Sequence, residues 1–105
     1  MIPIDELKKI KLVCFDFDGV FTNNFVYVDQ NGIESVRCFR SDGIGIERLK
    51  KTGIKIYIIS TEKNPVVSQR AKKLNIPVMQ GISDKGLAIK EIRKELNLLP
   101  NQSMF

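Results

Sequence analysis

One apolar run that ends in two closely spaced carboxylates constrains the fold more than any other feature of this chain. From Lys11 to Thr22 the sequence reads Lys-Leu-Val-Cys-Phe-Asp-Phe-Asp-Gly-Val-Phe-Thr. A short apolar run bounded by a turn signal is typical of a strand that is buried on both faces in a parallel sheet. The pattern therefore predicts an open α/β sheet, in which ligands bind beyond the carboxyl ends of the strands.

The two carboxylates, Asp16 and Asp18, indicate a cation at that edge of the sheet. One residue apart, they repel each other unless a positive charge lies between them, and Mg²⁺ prefers oxygen ligands of this kind. A metal held by carboxylates makes phosphoryl chemistry the expected class of function. The same Asp-Phe-Asp-Gly segment also fits a polar turn that closes a strand, so the motif alone leaves both interpretations open.

Composition and charge limit the kinds of protein that this chain can be. With 105 residues, 43% of them hydrophobic, the chain suits a single domain with one core. It contains no apolar stretch of membrane-spanning length and no secretory layout at the N-terminus, so we expect a cytoplasmic protein without a membrane partner. The formal charge is +5, but the basic residues are scattered, which favours a small anionic substrate over nucleic acid. Histidine is absent, which excludes a Ser-His-Asp triad.

A β-hairpin is predicted at residues 25–39, because two β-prone runs surround Asn31 and Gly32. Its alternating apolar side chains have little of their own domain left to cover. One hypothesis is that the hairpin forms a contact between subunits. The other is that it folds back on its own sheet, and the sequence leaves the two open.

The rest of the chain alternates between helical and strand patterns. The periodicity predicts a helix from residues 41–43 to Thr52, a strand at 54–59, a helix at 64–74, a strand at 76–79 and a helix at 83–96. This alternation predicts a doubly wound, Rossmann-like parallel sheet with right-handed crossovers. Cys14 and Cys38 form no C-x-x-C pair, and we expect neither to be redox-active.

In such a sheet the candidate reactive residues converge on one edge. Asp16 and Asp18 follow the first strand, Ser60 follows the next parallel strand, and Lys85 lies near the start of the last helix. A hydroxyl can donate to a phosphate oxygen, and an ammonium can neutralise charge beside the carboxylates. Taken separately, Ser60 also fits a helix cap and Lys85 also fits a solvated lysine.

At these residues the chain resembles the haloacid dehalogenase superfamily of phosphatases. Residues 16–22 match the first motif of that superfamily, Ser60 matches the second and Lys85 the third. Residues 40–46 and 80–85, with the hairpin, extend the likeness over nearly the whole chain. Together they resemble the small capless branch that dephosphorylates 3-deoxy-octulosonate 8-phosphate and nonulosonate (sialic-acid-type) 9-phosphates.

The resemblance implies a set of roles for residues of this chain. Asp16 is then the nucleophile that forms an aspartyl-phosphate, and Asp18 is the general acid and base. Both are ligands of Mg²⁺, Asp16 through its carboxylate and Asp18 through its backbone carbonyl. The implied assembly is a homotetramer through the hairpin. The phosphate-binding residues are Ser60, Thr61, Lys85 and Gly19, and the substrate-binding residues are Glu62, Arg70, Lys73 and Asp42.

Three residues depart from the pattern of that branch. Thr61 and Glu62 stand where octulosonate phosphatases usually carry Gly-Arg, and a glutamate cannot clamp a substrate carboxylate as arginine does. The change favours a nonulosonate substrate, with Glu62 accepting from sugar hydroxyls and Arg70 or Lys73 supplying positive charge. Asn23 replaces a frequent aspartate, and nothing in the sequence explains that change.

The fourth motif of the family, an acidic pair that completes the metal site, would follow residues 103–105. We therefore expect the chain to be one haloacid-dehalogenase-like domain, residues 1–105, that lacks its C-terminal part. The alternative to an enzyme is a non-catalytic association module, similar to the phosphatase-like domain appended to some acylneuraminate cytidylyltransferases. That module would oligomerise through the hairpin without turnover.

Overall fold

Strands and helices alternate through residues 8–105, the part of the chain that the computed structural model describes. The strands are β1 (Leu12–Phe15), β2 (Thr22–Val28), β3 (Glu34–Cys38), β4 (Lys55–Ile59), β5 (Val78–Met79) and β6 (Ser103–Met104). The helices are α1 (Asp42–Lys51), α2 (Pro65–Leu74) and α3 (Lys85–Leu96), with a short 3-10 helix at Pro100–Gln102.

The main sheet has the strand order β5-β4-β1-β6, and its neighbouring strands are all parallel. In the centre, Leu12 of β1 pairs with Lys55 of β4, and Phe15 pairs with Ile58. Strand β1 is thus hydrogen-bonded on both sides, as its apolar composition predicts. The parallel pairing places the carboxyl ends of β1, β4 and β5 at one edge, which is where the candidate residues follow.

Helices cover both faces of this sheet, because successive strand residues point to opposite sides. On one face, α3 packs against β1 and β4 in a cluster of Leu12, Cys14, Ile59, Ala88 and Ile92. On the other face, α1 and α2 pack in a cluster that contains Phe17, Phe21, Ile46, Ile56, Ile58, Val67, Ala71, Leu74 and Ile76. The predicted doubly wound α/β fold is confirmed.

The predicted hairpin is also confirmed, as a separate two-stranded sheet of β2 and β3. Its first strand begins at Thr22, three residues before the predicted start. The turn is wider than an Asn-Gly pair: the Asp29 carboxylate accepts from the backbone N–H groups of Asn31, at 2.8 Å, and Ile33, at 3.0 Å. Gly32 has φ +79°, a conformation that suits glycine.

The helix ends follow local capping chemistry. Asn64 caps α2 by accepting from the N–H of Val66 at 3.0 Å, and Asp84 caps α3 by accepting from the N–H of Leu87 at 3.0 Å. The cap at Asp84 explains why α3 starts at Lys85, two residues after the predicted boundary. In the described part of the chain, every helix is too short or too polar to cross a membrane.

Candidate active site

An ion pair joins the loop after β1 to the start of α3. The ammonium Nζ of Lys85 lies 3.0 Å from Oδ1 of Asp16, and the same oxygen accepts from the N–H of Phe17 at 2.8 Å. The side chain of Lys85 is 23% exposed and that of Asp16 is 41% exposed. The lysine is therefore shielded enough to strengthen the pair, while the carboxylate remains open to an incoming ligand.

The turn after β1 fixes the direction of these carboxylates. Gly19 has φ +77°, and its N–H donates to Oγ1 of Thr22 at 3.1 Å. The buried Thr22 hydroxyl also accepts from the N–H of Asn24 at 3.1 Å. Phe17 points into the core from the middle of the motif, so that Asp18 faces the solvent side. The N–H of Gly19 is thus already bonded within the turn, and its predicted contact with a phosphate group stays a prediction.

Three acidic groups and one cation share this corner of the molecule. Asp18 is exposed as a residue, yet partial loss of hydration around its carboxyl group raises its pKa above the ordinary range. The negative charges of Glu62 and Asp16 raise the pKa further, and Lys85 opposes the shift. An aspartate with a raised pKa holds a proton more readily, which suits a group that must donate one.

The loop after β4 begins inside the protein and ends at the start of α2. Ser60 is only 1% exposed, and its Oγ accepts from the N–H of Glu62 at 3.0 Å. Oε1 of Glu62 in turn accepts from the N–H groups of Lys63 and Asn64, each at 3.0 Å. Thr61, between them, is exposed. Glu62 is thus close enough to Asp18 to raise its pKa, while one of its carboxylate oxygens is hydrogen-bonded to the backbone.

The other predicted substrate-binding residues lie on the α1 and α2 side. Arg70 donates to the carbonyl oxygen of Phe39 at 2.8 Å, at the end of β3. Lys73 lines a cleft of about 540 Å³ together with Arg40 and Arg48. Within residues 8–105, no hydrogen bond or ion pair links these basic side chains to Asp16. Their contact with substrate stays a prediction.

Asp42, at the start of α1, also lies on the α1 and α2 side. Within the described part of the chain its buried Oδ2 has no hydrogen-bond partner, and neither has the buried Nε of Arg70. Both charges act on Cys38, whose pKa is raised mainly by burial. Burial also raises the pKa of Cys14 to about 11, so this thiol stays protonated at neutral pH.

The donor set at the loop after β1 fits a magnesium ion. Within residues 8–105, no group of three or more His, Cys, Asp or Glu side chains is arranged to hold a metal, so side chains alone do not enclose an ion there. Mg²⁺ is usually bound through one or two carboxylates plus substrate phosphate, and it keeps several waters. The Asp16 carboxylate and the backbone carbonyl oxygen of Asp18, at the open edge of the sheet, meet that requirement.

Sequence reasoning missed two contacts at this edge. The Lys85 ammonium lies 5.7 Å from the centre of the Phe105 ring, within the range of a cation–π interaction. The side-chain amide of Gln80 donates to the carbonyl oxygens of Glu62, at 3.1 Å, and Asn64, at 2.9 Å. Nothing in the local pattern indicates the ring, because its position depends on where β6 pairs. Gln80 lies within residues 80–85, which resemble the family, but the sequence indicates no role for it.

Known proteins are similar to this chain in sequence and fold over most of its length. The 3-deoxy-D-manno-octulosonate 8-phosphate phosphatase KdsC of Escherichia coli K12 is 31% identical over 104 residues, which are 97% of this chain and 55% of that protein. A Streptomyces avermitilis protein described as a HAD family hydrolase is 45% identical, with a TM-score of 0.86, and the match covers 91% of this chain and 55% of that one.

A third relative carries ligands. The 3-deoxy-D-manno-octulosonate 8-phosphate phosphatase of Moraxella catarrhalis, solved with a magnesium ion, a phosphate ion and KDO, is 31% identical. Its TM-score is 0.88, and the match covers 94% of this chain and 57% of that one. No protein-family profile matches the sequence.

This chain is a homologue of the KDO 8-phosphate phosphatases and of HAD-family hydrolases. The resemblance drawn from residues 16–22, Ser60 and Lys85 is therefore confirmed. The chain spans about half the length of the curated phosphatases it matches, 55% in the case of the Escherichia coli protein.

The raised pKa of Asp18 predicts a gain in stability when its charge is removed. Folding favours the protonated carboxyl, so this contribution to stability is present below the unfolded-state pKa and is lost as the pH rises through the folded-state pKa. At pH 7 the ionised carboxylate therefore costs free energy. In metal-free buffer, Asp18→Asn should raise the free energy of unfolding by at most about 1 kcal/mol, because solvent screens an exposed group.

Urea unfolding measures this difference at pH 7 and again about one unit below the ordinary Asp pKa of 3.8, where it should vanish. The control is Glu91→Gln, an exposed carboxylate on α3, which should change stability little at either pH. A less stable Asp18→Asn protein at pH 7 would contradict the electrostatic description of the site.

Proposed function

We propose that this chain supplies the catalytic site of a Mg²⁺-dependent phosphatase that acts on a sugar-acid phosphate. The observation that carries the proposal is the Asp16–Lys85 pair at 3.0 Å, beside Asp18, at the carboxyl end of β1. A carboxylate that is oriented by an ammonium and open to solvent can approach a phosphate ester. The homologous phosphatases act on KDO 8-phosphate, which supports the substrate class.

In the first step Asp16 attacks phosphorus. A bond forms between a carboxylate oxygen and phosphorus, the bond from phosphorus to the ester oxygen breaks, and Asp18 gives its proton to the departing alkoxide. The raised pKa of Asp18 supports this donor role. In the second step the Asp18 carboxylate takes a proton from water, which attacks phosphorus and releases inorganic phosphate and free Asp16.

Asp16, through its carboxylate, and Asp18, through its backbone carbonyl oxygen, would also hold the metal ion. When bound, Mg²⁺ offsets the repulsion between an anionic nucleophile and an anionic phosphate. Lys85 contributes a second positive charge on the same side, and its contact with Asp16 orients that carboxylate.

The phosphate-binding groups come from the two neighbouring loops. Ser60 and Thr61 supply hydroxyl groups after β4, and Lys85 supplies an ammonium at the start of α3. Ser60 accepts a hydrogen bond from Glu62 but retains its own hydroxyl proton for a phosphate oxygen. Gly19, in the turn after β1, is proposed as a backbone contact.

The sugar acid is proposed to be either a nonulosonate 9-phosphate or 3-deoxy-octulosonate 8-phosphate. Glu62 favours the former, because one carboxylate oxygen is fixed by the backbone, which holds the side chain in place to accept from sugar hydroxyls. Arg70, Lys73 and Asp42 are proposed substrate contacts that lie on the α1 and α2 side of the subunit. A neighbouring subunit would bring such residues to an active site.

We further propose that the hairpin holds subunits together in a homotetramer. Its apolar side chains are exposed on both faces, with Phe25 at 67%, Val28 at 62% and Ile33 at 63%. Isolated two-stranded hairpins are marginally stable in water, so an exposed apolar pair of strands gains from burial against other copies. The non-catalytic association module has no support of its own, since none of the relatives described above is a cytidylyltransferase.

Phosphate release tests the catalytic proposal. The protein should release inorganic phosphate from KDO 8-phosphate or a nonulosonate 9-phosphate in Mg²⁺, and EDTA should abolish the reaction. Asp16→Asn removes the nucleophile and should lower kcat/KM by a factor of about a thousand or more, without unfolding the protein. The matched control is Asp29→Asn in the hairpin turn, because asparagine can accept the same backbone hydrogen bonds.

Normal activity in the Asp29→Asn protein together with its loss in the Asp16→Asn protein supports the assignment. Turnover that survives Asp16→Asn would overturn the mechanism. An oligomeric protein that is inactive on both substrates would favour the association module instead.

Sedimentation tests the hairpin proposal. Phe25→Ser with Val28→Ser should convert tetramers into smaller species, because both changes remove apolar area that an interface would bury. The control, Leu99→Ser, removes an equally exposed leucine near the 3-10 helix, 64% exposed, and should leave the sedimentation coefficient unchanged. An unchanged coefficient in the hairpin variant would show that these strands do not form the contact.

A further inference from the structure

Two irregular loops position the proposed phosphate-binding groups, and hydrogen bonds connect them. The first loop, residues 60–64, holds Ser60 and Thr61 between β4 and α2. The second loop, residues 80–84, leads from β5 into Lys85 at the start of α3. Neither loop belongs to a helix or a strand.

Backbone hydrogen bonds connect the two loops at their base. The N–H of Ser60 donates to the carbonyl oxygen of Met79 at 2.9 Å, and the N–H of Ile82 donates to that of Ser60 at 3.0 Å. A longer bond of 3.3 Å runs from the N–H of Gly81 to the carbonyl oxygen of Glu62. These bonds continue the parallel pairing of β4 with β5 but do not reach the far end of the first loop.

The side chain of Gln80 makes the remaining connection. Its Nε2 donates to the carbonyl oxygen of Glu62 at 3.1 Å and to that of Asn64 at 2.9 Å. A glutamine amide nitrogen carries two N–H groups, and here each finds an acceptor. The amide oxygen could not take this position, because it would face two carbonyl oxygens. The orientation of the side chain is thus determined by the loop that it holds.

We propose that Gln80 is a positioning residue, whose side-chain amide locks the loop of Ser60 and Thr61 to the loop that leads into Lys85. Asn64 also caps α2, so the same amide anchors the start of that helix. The hydroxyl and ammonium groups must reach one phosphate together, and a misplacement of about 1 Å can cost a hundredfold in rate. This inference rests on the proposed function and names a residue that supports it without touching substrate.

Three variants test the lock. Gln80→Met keeps the length of the side chain but removes both donors, and Gln80→Glu places carboxylate oxygens against the two carbonyl groups. Gln69→Met on α2 is the control, because Gln69 is exposed. We expect kcat to fall about 10- to 100-fold in Gln80→Met and further in Gln80→Glu, with a smaller change in KM, and no change in the control.

Amide hydrogen exchange supplies a measurement that does not depend on turnover. In Gln80→Met the amides of residues 61–64, 81 and 82 should exchange faster than in the wild type, while amides of β1 and α3 keep their protection. A residue that only supported the fold would lower protection everywhere and leave kcat per folded molecule unchanged.

The outcomes separate the lock from the enzyme. Suppose that the wild type hydrolyses a sugar-acid phosphate and that Gln80→Met has the same kcat as the wild type, or the same amide exchange in the two loops. The positioning role of Gln80 is then overturned, while the proposed phosphatase function is retained. If the wild type is inactive on sugar-acid phosphates, the proposed function fails, and the exchange measurement still decides the lock. Faster exchange confined to the two loops supports it, and unchanged exchange overturns it.

Discussion

The parallel pairing of β1 with β4 is the contact on which the rest of the molecule depends. Four residue pairs, from Leu12–Lys55 to Phe15–Ile58, align the strands so that both end at one edge of the sheet. The alternation of side chains then gives each face an apolar layer, which α3 covers on one side and α1 and α2 on the other. Burying these layers fixes the register, because a slip of one residue would expose every core side chain.

The same register brings the chemistry together. The turn after β1 begins at Asp16, the loop after β4 begins at Ser60, and α3 starts with Lys85 across the edge. Buried residues fix each of these three segments. Phe17 is buried within the turn after β1, Ser60 is buried at the start of the loop after β4, and Ile92 anchors α3 in the core. The ion pair of 3.0 Å between Asp16 and Lys85 is thus a consequence of packing, since both side chains extend from elements whose backbones the core fixes.

The sequence predicted those parts of the structure that local pattern determines. The apolar run before Asp16 indicated a buried strand, and the periodicity of residues 64–74 indicated the helix that the structure contains at Pro65–Leu74. The site at the carboxyl end of β1 followed from the general rule for parallel sheets. Local pattern could not place contacts between distant segments, such as Gln80 with Asn64 or Lys85 with Phe105, because they depend on how loops close in three dimensions.

Covalent phosphorylation of Asp16 tests the account most directly. Asp18→Asn should slow hydrolysis of the intermediate, while p-nitrophenyl phosphate has a leaving group that needs little protonation. The Asp18→Asn protein is mixed with p-nitrophenyl phosphate in the presence of Mg²⁺ and quenched with acid, and its peptides are analysed by mass spectrometry. The reaction should give one equivalent of nitrophenolate and a phosphoryl group on Asp16. A phosphoryl group on another residue, or its absence from Asp16 while nitrophenolate is released, would contradict the account.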